Sequence, residues 1–492
     1  MAAVIINLIR QKWFEKDNNI TSTSSAALNY HLTFPCYWLG FIMLATFFAL
    51  FEEVIYGQEE DDDTNPVINK PGYVAELVTD GLNEPTGMAL LGPQEILVTE
   101  KSEGTVRKIS DGQMLEEPLL DVNVNARDER GLLGIAVAED DGNSETPRYV
   151  FLYYTEAEEE DGGEPLGNRL YRYELVGDRL INGTLLLDLP YLPGPAHNGG
   201  VLSIGPDKNV YLAVGDMIPT SFAETQYRSK AQNYGEGLDP DGRGGILRIT
   251  QEGEVVGGSG ILGEGHPLDK YFAYGIRNSF GMDFDPITGN LWDTENGPSF
   301  GDEINLVFPG FNSGWAHVLG GWYVNETINE ESDDREVNKG QETSFLSPDQ
   351  SNEPKNLVTF DNHGYYSDPE FVWDRSIGPT SIIFMNSDKL GKDFENDIFV
   401  ADVEGKIHNF NLVANRTQLD LSGTLSDKVA NNPEELGNSI FASNFDIITD
   451  LEVGPDGYLY VLAGVRDVEG RIYKITYGSS AESQILSRIQ EE

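Results

Sequence analysis

The stretch 193–216, PGPAHNGGVLSIGPDKNVYLAVGD, places His197, Asn198 and two glycines ahead of a short apolar run, a Gly-Pro-Asp turn and a second apolar run. Two such runs joined by a tight turn read as a β-hairpin. The scheme recurs in PTGMALLGPQEILVTE from Pro85, in ERGLLGIAVAEDDGNSETPRYVFLYYTEA from Glu129 and in RNSFGMDFDPITGNLWDTENG from Arg277. It recurs again in GPTSIIFMNSDKLGKDFENDIFVADVEG from Gly378 and ITDLEVGPDGYLYVLAG from Ile448. Most copies are followed by a third strand, such as GTVRKIS, NRLYRYEL, GGILRIT, DEINLV, KIHNFNL or GRIYKIT. The first strands begin near Met88, Ile135, Leu202, Met282, Ile382 and Leu451, with almost no helical periodicity between them. This pattern predicts an all-β fold, a six-bladed β-propeller of four-stranded antiparallel blades over residues 73–478. The segment YVAELVT from Tyr73 precedes the first copy and is expected to pair into the last blade, closing the ring.

Composition narrows the function. Acidic residues number 82 against 33 basic ones, a formal net charge of −49. That charge excludes nucleic acid as a partner, because phosphates would be repelled, and favours divalent cations. The single cysteine, Cys36, excludes intrachain disulfides and cysteine-based zinc sites. Residues 1–34 form a leader with Arg10, Lys12 and Lys16, and 35–57 an apolar segment (PCYWLGFIMLATFFALF over 35–51). An acidic linker, 58–72, follows. The segment reads as a signal peptide, cleaved near Gly57, as a single-helix anchor, or as part of an over-extended gene start, with the bulk of the chain outside the membrane by the charge asymmetry. Residues 479–492 read as a C-terminal tail, and 324–355 as a polar insertion. Asn182, Asn325 and Asn415 stand in glycosylation sequons.

In a propeller the first strands run in one direction along the central channel, so residues just ahead of them gather at one mouth. Those residues are Pro85 and Thr86, Glu129 and Arg130, His197 and Asn198, Arg277 and Asn278, Pro379 and Thr380, and Thr449 and Asp450. A histidine, two arginines, carboxylates and amides converging on one funnel make a candidate binding site.

Over residues 73–478 the chain resembles the soluble PQQ-dependent glucose/sorbosone (aldose sugar) dehydrogenases, six-bladed propellers that use pyrroloquinoline quinone (PQQ) and calcium. The resemblance rests on GLLGIA from Gly131, HNGG from His197, YGIRNSFGMDFDPITGNLWDTENGPSFGDEINLV followed by GFNSGW, and YSDPEFVWDRSIGPTSIIF from Tyr366. It implies that His197 is the general base on the anomeric hydroxyl and that Arg277 stabilises the quinone oxygen that becomes negative. It further implies that Asn278 assists the cofactor and that the carbonyls of Gly297 and Pro298 ligate calcium, with Glu303 a ligand of a second ion. Arg130, Glu129 and Thr449 complete the candidate cofactor set.

Three departures stand out. The family's lysine in the fifth blade is replaced in ADVEGK, where Glu404 is near its place and Lys406 is offset. Its two arginines ahead of the sixth blade become Ile447 and Thr449, and its glutamine before GLLG becomes Glu129. The resemblance implies an enzyme that oxidises an aldose to a lactone by hydride transfer to PQQ and passes electrons to an external acceptor, and the apolar segment implies that it is exported. The departures keep open a non-redox propeller that binds carbohydrate or protein, or a calcium-assisted lactone hydrolase.

Overall fold

The computed structural model describes residues 65–139, 148–217, 225–329, 334–342, 354, 356–465 and 468–477. The leader, the apolar segment and the tail lie outside the described residues. Among the described residues the regular structure is β-strand with short 3-10 turns, and no helix is long and apolar enough to cross a membrane.

Six sheets carry four to six strands each, and a seventh carries three. Each of the six opens on a strand that the hairpin repeat announces: Pro85–Gly92, Leu132–Val137, Leu202–Ile204, Ser279–Phe284, Pro379–Phe384 and Ile448–Val453. The strand that follows turns back antiparallel, as in Leu202–Ile204 against Val210–Val214. These second strands are buried along their whole length in Val210–Val214, Leu291–Glu295, Ile398–Asp402 and Leu459–Ala463, and open on apolar residues even where they end on Asp293, Thr294 and Glu295 or on Asp402. A continuous apolar run rather than an alternating one is what a strand covered on both faces requires.

The covering comes from the neighbouring sheets. Leu97 of the first sheet packs with Leu132 and Leu152 of the second, and Phe151 of the second with Leu212 of the third. Tyr211 of the third meets Met282 and Leu291 of the fourth, and Trp292 of the fourth meets Ile382 and Val400 of the fifth. Phe399 of the fifth meets Leu459 of the sixth. Leu462 and Ile472 of the sixth then pack on Met88 and Val98 of the first. Each sheet thus buries both faces against its neighbours in the order of the chain, and the last returns to the first. Tyr73–Leu82 pairs antiparallel with Gly470–Tyr477 and so forms the outer strand of the sixth sheet, as the sequence predicts.

Two expectations change. The sheets are not uniformly four-stranded or antiparallel: Phe311–Asn312 and Tyr365–Tyr366 add parallel strands to the third, and Val429–Ala430 adds one to the fourth. Val67–Ile68, inside the stretch read as linker, pairs with Ile440–Ser443 of the fifth. Returning loops here satisfy main-chain groups that an open sheet edge would leave unpaired. Part of the polar insertion is also ordered, Trp322–Asn329 and Asp334–Glu342 forming a hairpin beside Val318–Leu319.

One local feature positions the site. Five of the six first strands slip register at their start, between Pro85 and Gly87, Leu132 and Gly134, Ser279 and Gly281, Pro379 and Ser381, and Ile448 and Asp450. Such bulges bend a strand and re-aim the side chains around them.

Candidate active site

The HNGG turn enters the third sheet through left-handed backbone, with φ of +58° at His197, +65° at Gly199 and +119° at Gly200. A Cβ on Gly199 would lie 2.4 Å from the Ala213 carbonyl oxygen, and one on Gly200 would lie 2.6 Å from Leu133 Cβ. Only glycine fits both places. His197 has a Cβ, and its conformation costs about 1–2 kcal/mol, so the surroundings must hold it.

They do so from three sides. The buried His197 ring meets Asp216 through Nδ1, 2.6 Å from Oδ1. The other carboxylate oxygen of Asp216 accepts the Trp315 indole N–H at 2.7 Å. A carboxylate accepts but does not donate, so Nδ1 carries the proton and Nε2 presents its lone pair. Nε2 has no partner among the described residues. The main-chain N–H of His197 donates to Glu129 Oε2 at 2.6 Å.

Arg277 and Asn278 stand beside this group. The Arg277 carbonyl accepts the Asp216 N–H at 2.8 Å, and Asn278 Oδ1 accepts the Gly199 N–H at 3.1 Å. The Arg277 guanidinium lies 5.6 Å from the Trp315 ring centre and donates through Nη1 to the Asn296 carbonyl at 2.5 Å. Its main-chain N–H is held by Glu295 at 2.6 Å. Burial lowers the His197 pKa, and the charge of Arg277 adds to the effect, while Asp216 and Glu129 oppose it. Burial likewise lowers that of Arg277, opposed by Asp216, Glu129, Asp302 and Glu295.

The structure therefore brings His197, Arg277, Asn278 and Glu129 together. The remaining candidates vary. Arg130 packs on Tyr191, its guanidinium carbon 5.3 Å from the ring centre, and donates to the Tyr191 carbonyl at 2.5 Å. The Thr449 hydroxyl turns back to its own sheet, 3.4 Å from the Leu462 carbonyl. Gly297 sits in a tight loop, where a Cβ would lie 1.9 Å from the Phe300 carbonyl oxygen, and Asp302 accepts its N–H at 2.7 Å. Pro298, next in that loop, is half-buried. Glu303 is engaged inside the protein: its carboxylate accepts from the Gly320 N–H, from Asn305 Nδ2 and from the Ser313 hydroxyl. Its pKa is pushed up to about 8 by burial. Asp216 and Trp315 escaped the sequence reading. Their signals were present in the VGD that returns the hairpin to His197 and in the tryptophan of GFNSGW.

With this geometry in hand, the family model described as glucose/sorbosone dehydrogenase matches residues 82–365. The chain belongs to that family. It is 26% identical over 406 residues to the aldose sugar dehydrogenase of Escherichia coli, covering 82% of this chain and 92% of that one. It is 28% identical over 260 residues to quinoprotein glucose dehydrogenase B of Acinetobacter calcoaceticus, covering 50% and 52%. The PQQ-bound aldose sugar dehydrogenase of Streptomyces coelicolor superposes with a TM-score of 0.54 at 21% identity, covering 84% of this chain and 98% of that one. At that identity the last comparison speaks for the fold alone. These relatives support a propeller and an oxidoreductase of the sugar dehydrogenase kind.

Do the residues fit a quinone and calcium? Among the described residues, Arg277 Nε, Asn278 Nδ2 and the Thr380 hydroxyl are buried without a partner, and so is Arg130 Nε. Buried donors normally find acceptors, so those at the starts of the fourth and fifth sheets suit an oxygen-rich ligand and fit the reacting edge of a quinone. The resemblance expects cations at the places of Glu404, Ile447 and Thr449. Glu404 is exposed and paired with Lys406 at 2.6 Å, and Ile447 and Thr449 carry no charge. For calcium, the Gly297 carbonyl meets, among the described residues, only the Ser376 hydroxyl at 3.5 Å, so this hard oxygen ligand is available. No cluster of three or more histidine, cysteine or acidic side chains shaped for a metal occurs among the described residues. A calcium would therefore rest on main-chain carbonyls and on the cofactor.

Proposed function

We propose that this chain is an exported, quinone-dependent aldose dehydrogenase built on a closed six-bladed propeller, oxidising the anomeric hydroxyl of a sugar to a lactone. The observation that carries the reading is the Asp216–His197 pair, with Nε2 unpartnered among the described residues, beside the partly unsatisfied guanidinium of Arg277. The ring closure is supported by six apolar interfaces between consecutive sheets and by the N-terminal strand in the last sheet. Export is supported by the apolar run and the charges around it.

His197 Nε2 takes the proton of the anomeric hydroxyl, and Asp216 stabilises the imidazolium that results. Loss of that proton drives electron density toward the C–H bond of the same carbon. A bound quinone supplies the two-electron acceptor for the hydride. Arg277, with Asn278, presents a fixed positive field where negative charge develops, and being already buried it needs no reorganisation. Gly297 and Pro298 would offer carbonyls to calcium. An external electron acceptor completes the turnover.

The missing cations at Glu404, Ile447 and Thr449 favour a second reading, a non-redox sugar-binding or lactone-hydrolysing use of the same site. Purified protein given PQQ, calcium, an aldose and an artificial acceptor discriminates between them. Acceptor reduction that depends on both additions supports the dehydrogenase, and lactone hydrolysis without acceptor reduction supports the alternative.

A further inference from the structure

The seat of His197 is built by a residue of the neighbouring sheet. Glu129, at the start of the second sheet, accepts the His197 N–H at 2.6 Å and donates its own N–H to the Pro195 carbonyl at 3.2 Å. The same carbonyl takes Asn198 Nδ2 at 2.6 Å. Glu129 thus holds the turn on both sides of Ala196, at the point where the backbone of a residue with a Cβ goes left-handed. That N–H is buried and has no other acceptor among the described residues, so losing Glu129 would leave it unsatisfied.

Geometry alone needs only an oxygen here, and a glutamine would supply one. This chain supplies a carboxylate. The charges that act on the His197 imidazole are Arg277 from the fourth sheet, which disfavours its proton, and Asp216 from the third and Glu129 from the second, which favour it. Two anions are thereby set against one buried cation, and each favours a proton on the imidazole. We propose that Glu129 is a positioning residue for His197, seating its backbone from the adjacent sheet and setting a negative charge against that of Arg277. The proposal rests on His197 as the base, and its test separates the two ideas.

The test compares Glu129→Gln and Glu129→Ala in the full chain, following the imidazole of His197 by nitrogen-detected NMR through a pH titration. The signal is assigned by its loss in His197→Asn. Glu129→Gln keeps the acceptor and removes the charge: the fold and ring environment should persist while the His197 pKa falls and the acid limb of turnover moves to lower pH. Glu129→Ala removes both: turnover should fall about tenfold or more with KM little changed, and the ring signals should shift or broaden. An unchanged His197 pKa in Glu129→Gln overturns the electrostatic role. Wild-type ring signals in Glu129→Ala overturn the seating role. If the wild type oxidises no aldose, the dehydrogenase reading fails, yet the titration still decides the part played by Glu129.

Discussion

His197 has one nitrogen engaged by Asp216 and one left open to a substrate. Replacing His197 with alanine should lower turnover about a hundredfold or more, as for loss of a general base. Asp216→Asn should also lower turnover, because an amide at that place no longer fixes the tautomer or stabilises the imidazolium. Steady-state kinetics on both variants checks this, and an unchanged rate in either would contradict the assignment. Since the neutral imidazole is the active form and its pKa is lowered by burial and Arg277, activity should persist below the ordinary histidine value of about 6.5. A pH–rate profile whose acid limb lies above that value would count against the placement. His197, Arg277 and Asn278 were legible because each stands in a local motif just before a strand. Asp216 and Trp315 reach the site from the return of a hairpin and from a loop after the fourth sheet's third strand, which local spacing does not reveal.

Elements obey a different rule. The first three strands of each sheet announce themselves by apolar runs and turns, whereas the outer strands, Tyr73–Leu82 apart, do not. Phe371–Trp373, for instance, joins the fourth sheet only after a long excursion of chain from Asp302–Val307. Register is the other hidden variable. A one-residue slip sends a side chain to the opposite face, and Thr449 sits inside the slip between Ile448 and Asp450. Position before a strand therefore suggested a ligand contact, but its hydroxyl turns to Leu462. Glu303 lies on a third strand packed beneath the loop from Phe311 to Gly320, so its carboxylate finds protein donors. The closing interface offers a test at this scale. Leu462 is fully buried between the sixth and first sheets, so Leu462→Ala should cost about 2–5 kcal/mol. Denaturant unfolding measures that loss. A change under about 0.5 kcal/mol would show that the two sheets do not depend on each other.

For the molecule as a whole, the excess of acid sets how stability responds to pH. Asp283 and Asp450, on the first strands of the fourth and sixth sheets, are half-buried and accept the main-chain N–H groups of Phe384 and Met88. Desolvation raises each to about 7, against the pull of the main-chain N–H groups they accept. Unfolded, each would titrate near 3.9, so folding takes up protons between those values. Their contribution is greatest below about pH 4 and is lost as pH rises through about 7, and a net charge of −49 acts in the same direction. The melting temperature should fall between pH 5 and pH 8, and Asp283→Asn combined with Asp450→Asn should flatten the slope. A melting temperature that rises over that interval would contradict the burial argument. The claim on which the rest depends is that this fold still works as a quinone enzyme without the family's cationic clamp. Titrating the purified chain with PQQ in calcium, while following the quinone absorption and the aldose-dependent reduction of an artificial acceptor, tests it most directly. A saturable, calcium-dependent spectral shift with acceptor reduction that His197→Ala abolishes is the predicted result. No spectral shift and no aldose oxidation at any quinone concentration would contradict it.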